Sequence, residues 1–166
     1  MKYSRIDTCF QSGSLTILRL LIGWHIFYEG IAKLLKPGWS SASFLKESKW
    51  IFSDLFNWIV SHSEVLKIID ILNTWGLILI GAGLILGLFV RIASISGVFL
   101  LLLYYAAVPP LIGLEYSVPM EGDYLVVNKT LIEVAALFVL FVFPSYGFSI
   151  DSLIFKNKGK DKGDRQ

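Results

Sequence analysis

Residues 14–35, SLTILRLLIGWHIFYEGIAKLL, decide the fold. At about 1.5 Å per residue a helix of this length spans roughly 33 Å, enough to cross about 30 Å of hydrocarbon. Four ionisable residues interrupt the apolar run: Arg19, His25, Glu29 and Lys33. With roughly 100° between successive residues and His25 taken as zero, Glu29 falls at about 40°, Lys33 at about 80° and Arg19 at about 120°. Gly23 and Gly30 lie just beyond. This is one polar stripe on one helix face. On insertion scales each charge at a helix centre costs about 2.5–3.5 kcal/mol, so the stripe must face a bundle interior, a partner charge or a water-filled cavity.

The rest of the chain repeats the apolar theme. Of 166 residues, 55% are hydrophobic and 17% charged, against roughly 25% charged in a soluble domain. The long apolar blocks predict four spans at residues 14–35, 68–90, 92–112 and 126–146, the last being short unless it is extended at both ends. The expected fold is therefore all-α, an integral-membrane four-helix bundle within a single transmembrane domain, residues 1–155. The first run is too long for a cleavable leader and has no small-x-small site after it, so it reads as retained. Lys2, Arg5, Arg91 and the basic tail 156–166 fall on one side if both termini are cytoplasmic. The acidic residues Glu115, Glu121 and Asp123 then lie outside; Lys33, Lys36, Lys46 and Lys49 lie there too and run against the bias. A net charge of +2 gives no reason to expect nucleic acid among the partners.

Between spans one and two, residues 36–66 are too polar to cross and too aromatic for an ordinary loop. Residues 43–62 read as an additional amphipathic helix in the interfacial plane. Its rings either anchor the loop at the membrane surface or cover an outer pocket. Span two carries Gly76, Gly83 and Gly87 within about 40° of one another, a small-residue stripe suited to close helix packing. Pro109 and Pro110 end span three, since neither ring offers an N–H.

Candidate chemistry gathers near the outer ends of spans one and four. Asn128, Lys129 and Glu133 open the fourth span, and Lys129 and Glu133 stack on one face. Glu133, about one turn inside, needs a cation or a hydrogen bond, and Lys33 stands at the same level. This predicts a cluster of Glu29, Lys33, Lys129 and Glu133. It either fixes helix register or serves as a binding and proton-handling site, with Glu29, Glu133 and His25 as candidate catalytic groups and Lys33, Lys129 and Asn128 as ligand contacts. His25 and Glu29, four apart, suit a histidine–carboxylate hydrogen bond, or half of a metal site, a weak signal, and no metal is expected. Trp24, Tyr28 and Trp75 are candidates for lining a pocket for a flat ring. Arg19 either snorkels or holds Asp151. A single cysteine, Cys9, excludes an internal disulfide, a Cys-x-x-Cys pair and a thiolate-held iron–sulfur cluster, and two histidines, only one within a span, disfavour haem.

In order, Arg19-Leu-Leu-Ile-Gly23, Glu29-Gly30-Ile-Ala-Lys33-Leu, Gly83-Leu-Ile-Leu-Gly87-Leu-Phe-Val-Arg91, Asn128-Lys129-Thr-Leu-Ile-Glu133 and Gly147-Phe-Ser-Ile-Asp151 resemble the DoxX/DoxD-like family of small four-span bacterial and archaeal membrane proteins. The long aromatic segment after span one looks more like the DoxD type, a subunit of thiosulfate:quinone oxidoreductase. The resemblance implies a multi-pass inner-membrane subunit linked to quinone or thiol/sulfur redox chemistry, in which Gly30, Lys33, Arg91, Glu133 and Asp151 match recurring positions; Arg19, Gly30, Gly83, Gly87, Arg91 and Asp151 are read as structural. With no cysteine pair in the chain, a partner subunit or a bound quinone would have to carry the electrons, and no covalent cofactor is expected. The alternative is a non-catalytic anchor or scaffold for a partner protein.

Overall fold

The computed structural model describes residues 5–111 and 126–144, and every regular element in them is helical. The order is α1 (Arg5–Leu35), α2 (Ala42–Lys46), α3 (Ser53–Ser61), α4 (Ser63–Leu86), α5 (Val90–Ala107) and α6 (Lys129–Val142). The acidic residues Glu115, Glu121 and Asp123, the tail 156–166 and Asp151 lie outside the described residues. Three stretches are long and apolar enough to cross a membrane: Phe10–Leu35, Ser63–Leu86 and Val90–Ala107. The fourth apolar helix, α6, has 14 described residues, roughly 21 Å.

The four long helices form a ring in which α1 packs on α4, α4 on α5, α5 on α6 and α6 on α1. Glycines set the closest of these approaches. A methyl group built on Gly81 would stand 2.5 Å from the backbone nitrogen of Phe27. One built on Gly30 would meet Ile78, and one on Gly23 would meet Leu84. Because Gly23 faces Leu84 while Gly30 faces Ile78, α1 and α4 run antiparallel with their backbones nearly touching. The stripe expected on α4 takes a different part: Gly76 faces open space and Gly87 has left the helix. Periodicity located small residues on one side of α4, but α1 lies on the side of Gly81.

Gly87 ends α4 in the left-handed region, φ 65°, and the Leu88 N–H returns to the Gly83 carbonyl at 2.9 Å, the two features of a Schellman stop. The turn into α5 is completed by Phe89, also left-handed at φ 50°, a conformation that costs a bulky residue about 1–2 kcal/mol. The hairpin therefore closes in three residues. The core behind it is apolar: Ile22, Ile26, Leu77, Ile80, Leu84, Val90, Leu101, Leu137 and Leu140 are buried together.

At the opposite end the expected single helix over 43–62 is two helices, α2 and α3, separated by residues 47–52. The reason is geometric. In one straight helix Leu45 and Ile59 would stand about 21 Å apart along the axis. Breaking the chain brings Leu45, Phe56 and Ile59 together over Ala107 and Val108 at the end of α5. The segment is a cap on the bundle. Asp70 of α4 secures its start by accepting hydrogen bonds from both the N–H and the hydroxyl of Ser41.

Substituting Gly81 by Ala pushes a methyl group into the Phe27 backbone and should cost about 1–3 kcal/mol of stability. Gly76→Ala, with open space around it, should be neutral or slightly stabilising through its better helix propensity. Unfolding of both variants by sodium dodecyl sulfate in mixed micelles, followed by circular dichroism, checks this pair; equal midpoints would refute the close approach.

Candidate functional site

The rotation of α1 against α4 distributes its polar stripe among three neighbours. His25 points across the seam to α6, where its Nε2 lies 3.3 Å from Glu133 Oε1. The side chains are 37% and 17% exposed, so the pair sits at the flank of the bundle and not at its sealed centre. Asn128 starts α6 by accepting a hydrogen bond from the Leu131 N–H at 3.0 Å, the expected action of an N-cap. This capping fixes where α6 begins and hence the level at which Glu133 enters. Lys129 is exposed at the helix start.

Lys33 turns to α5 and the cap. Its ammonium donates to the Tyr104 hydroxyl at 3.0 Å and stands 3.9 Å from Glu29. The same nitrogen lies about 5 Å from the ring centroids of both Trp39 and Tyr104, within cation–π range. Since the Tyr104 oxygen accepts from Lys33, its proton goes to Asn73 Oδ1 on α4. Phe44 of α2 meets the Tyr104 ring edge-on at 5.8 Å. Three elements, α1, α2 and α4, thus converge on one phenol of α5.

The expected single cluster of Glu29, Lys33, Lys129 and Glu133 is therefore two groups: His25 with Glu133 across α1 and α6, and Glu29, Lys33, Tyr104 and Asn73 across α1, α5 and α4. The physical reason is the rotation of α1. Its 80° position faces the bundle interior and α5, while its 0° position, His25, faces α6. A lysine placed inward finds a phenol that is itself bonded to an amide, and the imidazole meets the carboxylate.

The remaining candidates have other surroundings. Arg19 is fully buried, so it does not snorkel. Trp24, Tyr28 and Trp75 are exposed on the outer faces of α1 and α4. The rings beside the Lys33 ammonium are instead those of Trp39 and Tyr104. Arg91 is exposed at the first turn of α5, and Gly83 packs against the Leu88 carbonyl and Ala93. Asn73 was missed in the sequence, although a lone amide within an apolar span is a usable signal, because such a group must find a partner. Among the described residues no three histidine, cysteine or acidic side chains stand together as a metal site.

A family model described as DoxX matches residues 14–109. The chain belongs to the DoxX family. No curated protein and no solved structure matches it. The DoxX match covers α4, α5, the cap and most of α1, and with them the whole Glu29–Lys33–Tyr104–Asn73 group. It stops before α6, so Glu133, one half of the other pair, lies beyond the matched region of this DoxX chain.

A double-mutant cycle with His25→Ala and Glu133→Gln should give a coupling energy of about 0.6 kcal/mol, rising to about 1.7 kcal/mol if the bond is well shielded, the range measured for polar contacts between membrane helices. Denaturant unfolding in micelles provides the four stabilities. Additive effects would exclude a direct interaction.

Proposed function

We propose that this DoxX-family chain is a bacterial inner-membrane subunit, with both termini cytoplasmic, that binds a quinone-type ligand at the seam between α1 and α6. The observation that carries this reading is the His25–Glu133 contact, a histidine–carboxylate pair at the flank of an apolar bundle, partly accessible from outside. Such a pair suits a ligand with an apolar body and a hydroxyl or carbonyl head. With the Nε2–H of His25 donated to Glu133, Nδ1 is the acceptor atom. A hydroxyl head-group donates to Nδ1, and transfer of its proton leaves an imidazolium stabilised by the Glu133 carboxylate. The exposed Trp24 and Tyr28 on the same helix offer flat apolar surface beside the pair. Any electrons pass to a carrier on a partner subunit, which also supplies a thiol or sulfur substrate if there is one.

A second reading rests on the same contact. Glu133 and His25 bridge α1 to α6, and their role is then to hold the ring closed while the chain anchors a partner protein.

Purification in mild detergent, with organic extraction of bound quinone and titration with a short-chain quinone, separates the two. The ligand reading expects quinone retained by the wild type, and at least about tenfold weaker binding in Glu133→Gln, about 1.4 kcal/mol, with helical content unchanged. A wild type without affinity for quinone, or a variant that binds equally well, would overturn it. Loss of a co-purifying subunit from Glu133→Gln would assign the anchor role instead.

A further inference from the structure

We propose that Glu29 is the proton exit of the His25–Glu133 pair toward the capped end of the bundle, and that Lys33, fastened by Tyr104, is the positioning residue that holds Glu29 in place. This inference rests on the reading of that pair as a proton-handling site.

A proton arriving at His25 must reach water. The 26-residue span Phe10–Leu35 is roughly 39 Å long, so a span centred in about 30 Å of hydrocarbon extends some 4–5 Å beyond it at each end. His25 then lies about 10 Å inside the apolar layer and Glu29, one turn nearer the cap, about 4–5 Å inside. The same register puts Glu29 on the next turn of the same face as His25, within the reach of a side chain and one water. Glu29 is also 51% exposed, whereas Glu133 is 17% exposed. Of the two carboxylates, Glu29 is the more open at the bundle surface and stands one turn nearer the capped end than His25.

Lys33 aims Glu29. Its Oε2 is turned along the helix toward the Lys33 ammonium at 3.9 Å. The Lys33 side chain is 16% exposed, and its ammonium is held by donating to Tyr104, which is tied in turn to Asn73 of α4, with Trp39 and the Tyr104 ring flanking it. A lysine free to snorkel would give Glu29 no fixed position. The other charged groups near the route are Lys129, exposed one turn toward the cap on α6, and Arg19, buried nearly two turns toward the opposite end. Neither lies between His25 and the capped end on α1.

The test uses the full chain in lipid nanodiscs, with ring-labelled histidine and His62→Asn to leave His25 as the sole signal. NMR reads two quantities: the exchange rate of the His25 ring N–H with water, and the shift that reports its bond to Glu133. Glu29→Gln should slow exchange about tenfold or more while leaving the bond to Glu133 in place, as expected when a relay group is removed. Glu29→Asp should restore the rate, and Tyr104→Phe, which frees Lys33, should slow it partly. Unchanged exchange in Glu29→Gln would overturn the proposal, as would equal slowing in Lys129→Gln, which would assign the effect to surface charge. Neither quantity involves quinone, so the relay and the ligand reading can fail separately.

Discussion

The backbones of α1 and α4 touch, and that contact fixes the rotation of α1. Gly23 and Gly30 on one helix and Gly81 on the other leave no room for a Cβ, so α1 cannot turn about its axis without a clash. Within a bilayer this matters more than in water. Helices surrounded by acyl chains gain little from burying apolar side chains against each other, and close van der Waals packing is what selects one arrangement. With α1 locked, every ionisable group on it has a set direction: Arg19 into the core, His25 across to α6, and Lys33 under the cap toward α5.

The two polar groups obey different rules because of where those directions lead. Lys33 ends in a nearly closed place where its charge meets a hydroxyl, two aromatic faces and a half-exposed carboxylate. Trp39 comes from the stretch leading into α2 and Tyr104 from α5, so the contact ties the start of the cap to the bundle as well as satisfying the ammonium. Ser41 and Asp70 do the same on the α4 side. His25 and Glu133 belong to just two helices and remain partly open. The first arrangement is built to hold, and the second has an accessible side.

Much of this was legible in the sequence. Apolar blocks, the proline pair after α5 and the polar face of α1 predict the long helices and place the ionisable stripe. What was not legible is which neighbour each direction meets. Helical periodicity assigns Lys33 and His25 to one face, but the 80° between them separates an interior position from a seam. That angle decides that Glu133 meets the imidazole and not the ammonium. The glycine stripe on α4 failed for a related reason: spacing shows that Gly76, Gly83 and Gly87 align, while only the partner's position shows which glycine is needed, and that is Gly81, outside the stripe. The split of the cap into α2 and α3 depends on a target, the apolar end of α5 that the cap buries, that no local pattern contains.

The His25–Glu133 distance is set by two packing arrangements that are largely independent. The α1–α4 contact orients the imidazole, and the α5–α6 contact, where Leu137 packs over Gly97, orients the carboxylate. The pair then lies at the seam between two helix pairs, each of which is internally close-packed. A seam of this kind can widen by a small displacement of one pair against the other, with neither pair losing its own contacts. On the ligand reading proposed above, binding between these helices would part His25 from Glu133, and the same two groups would recapture a ligand's hydroxyl or carbonyl. By comparison, insertion between α1 and α4 would have to separate backbones already in contact. On that reading, the glycines that set the rotation of α1 would also direct a ligand to the α6 side of α1.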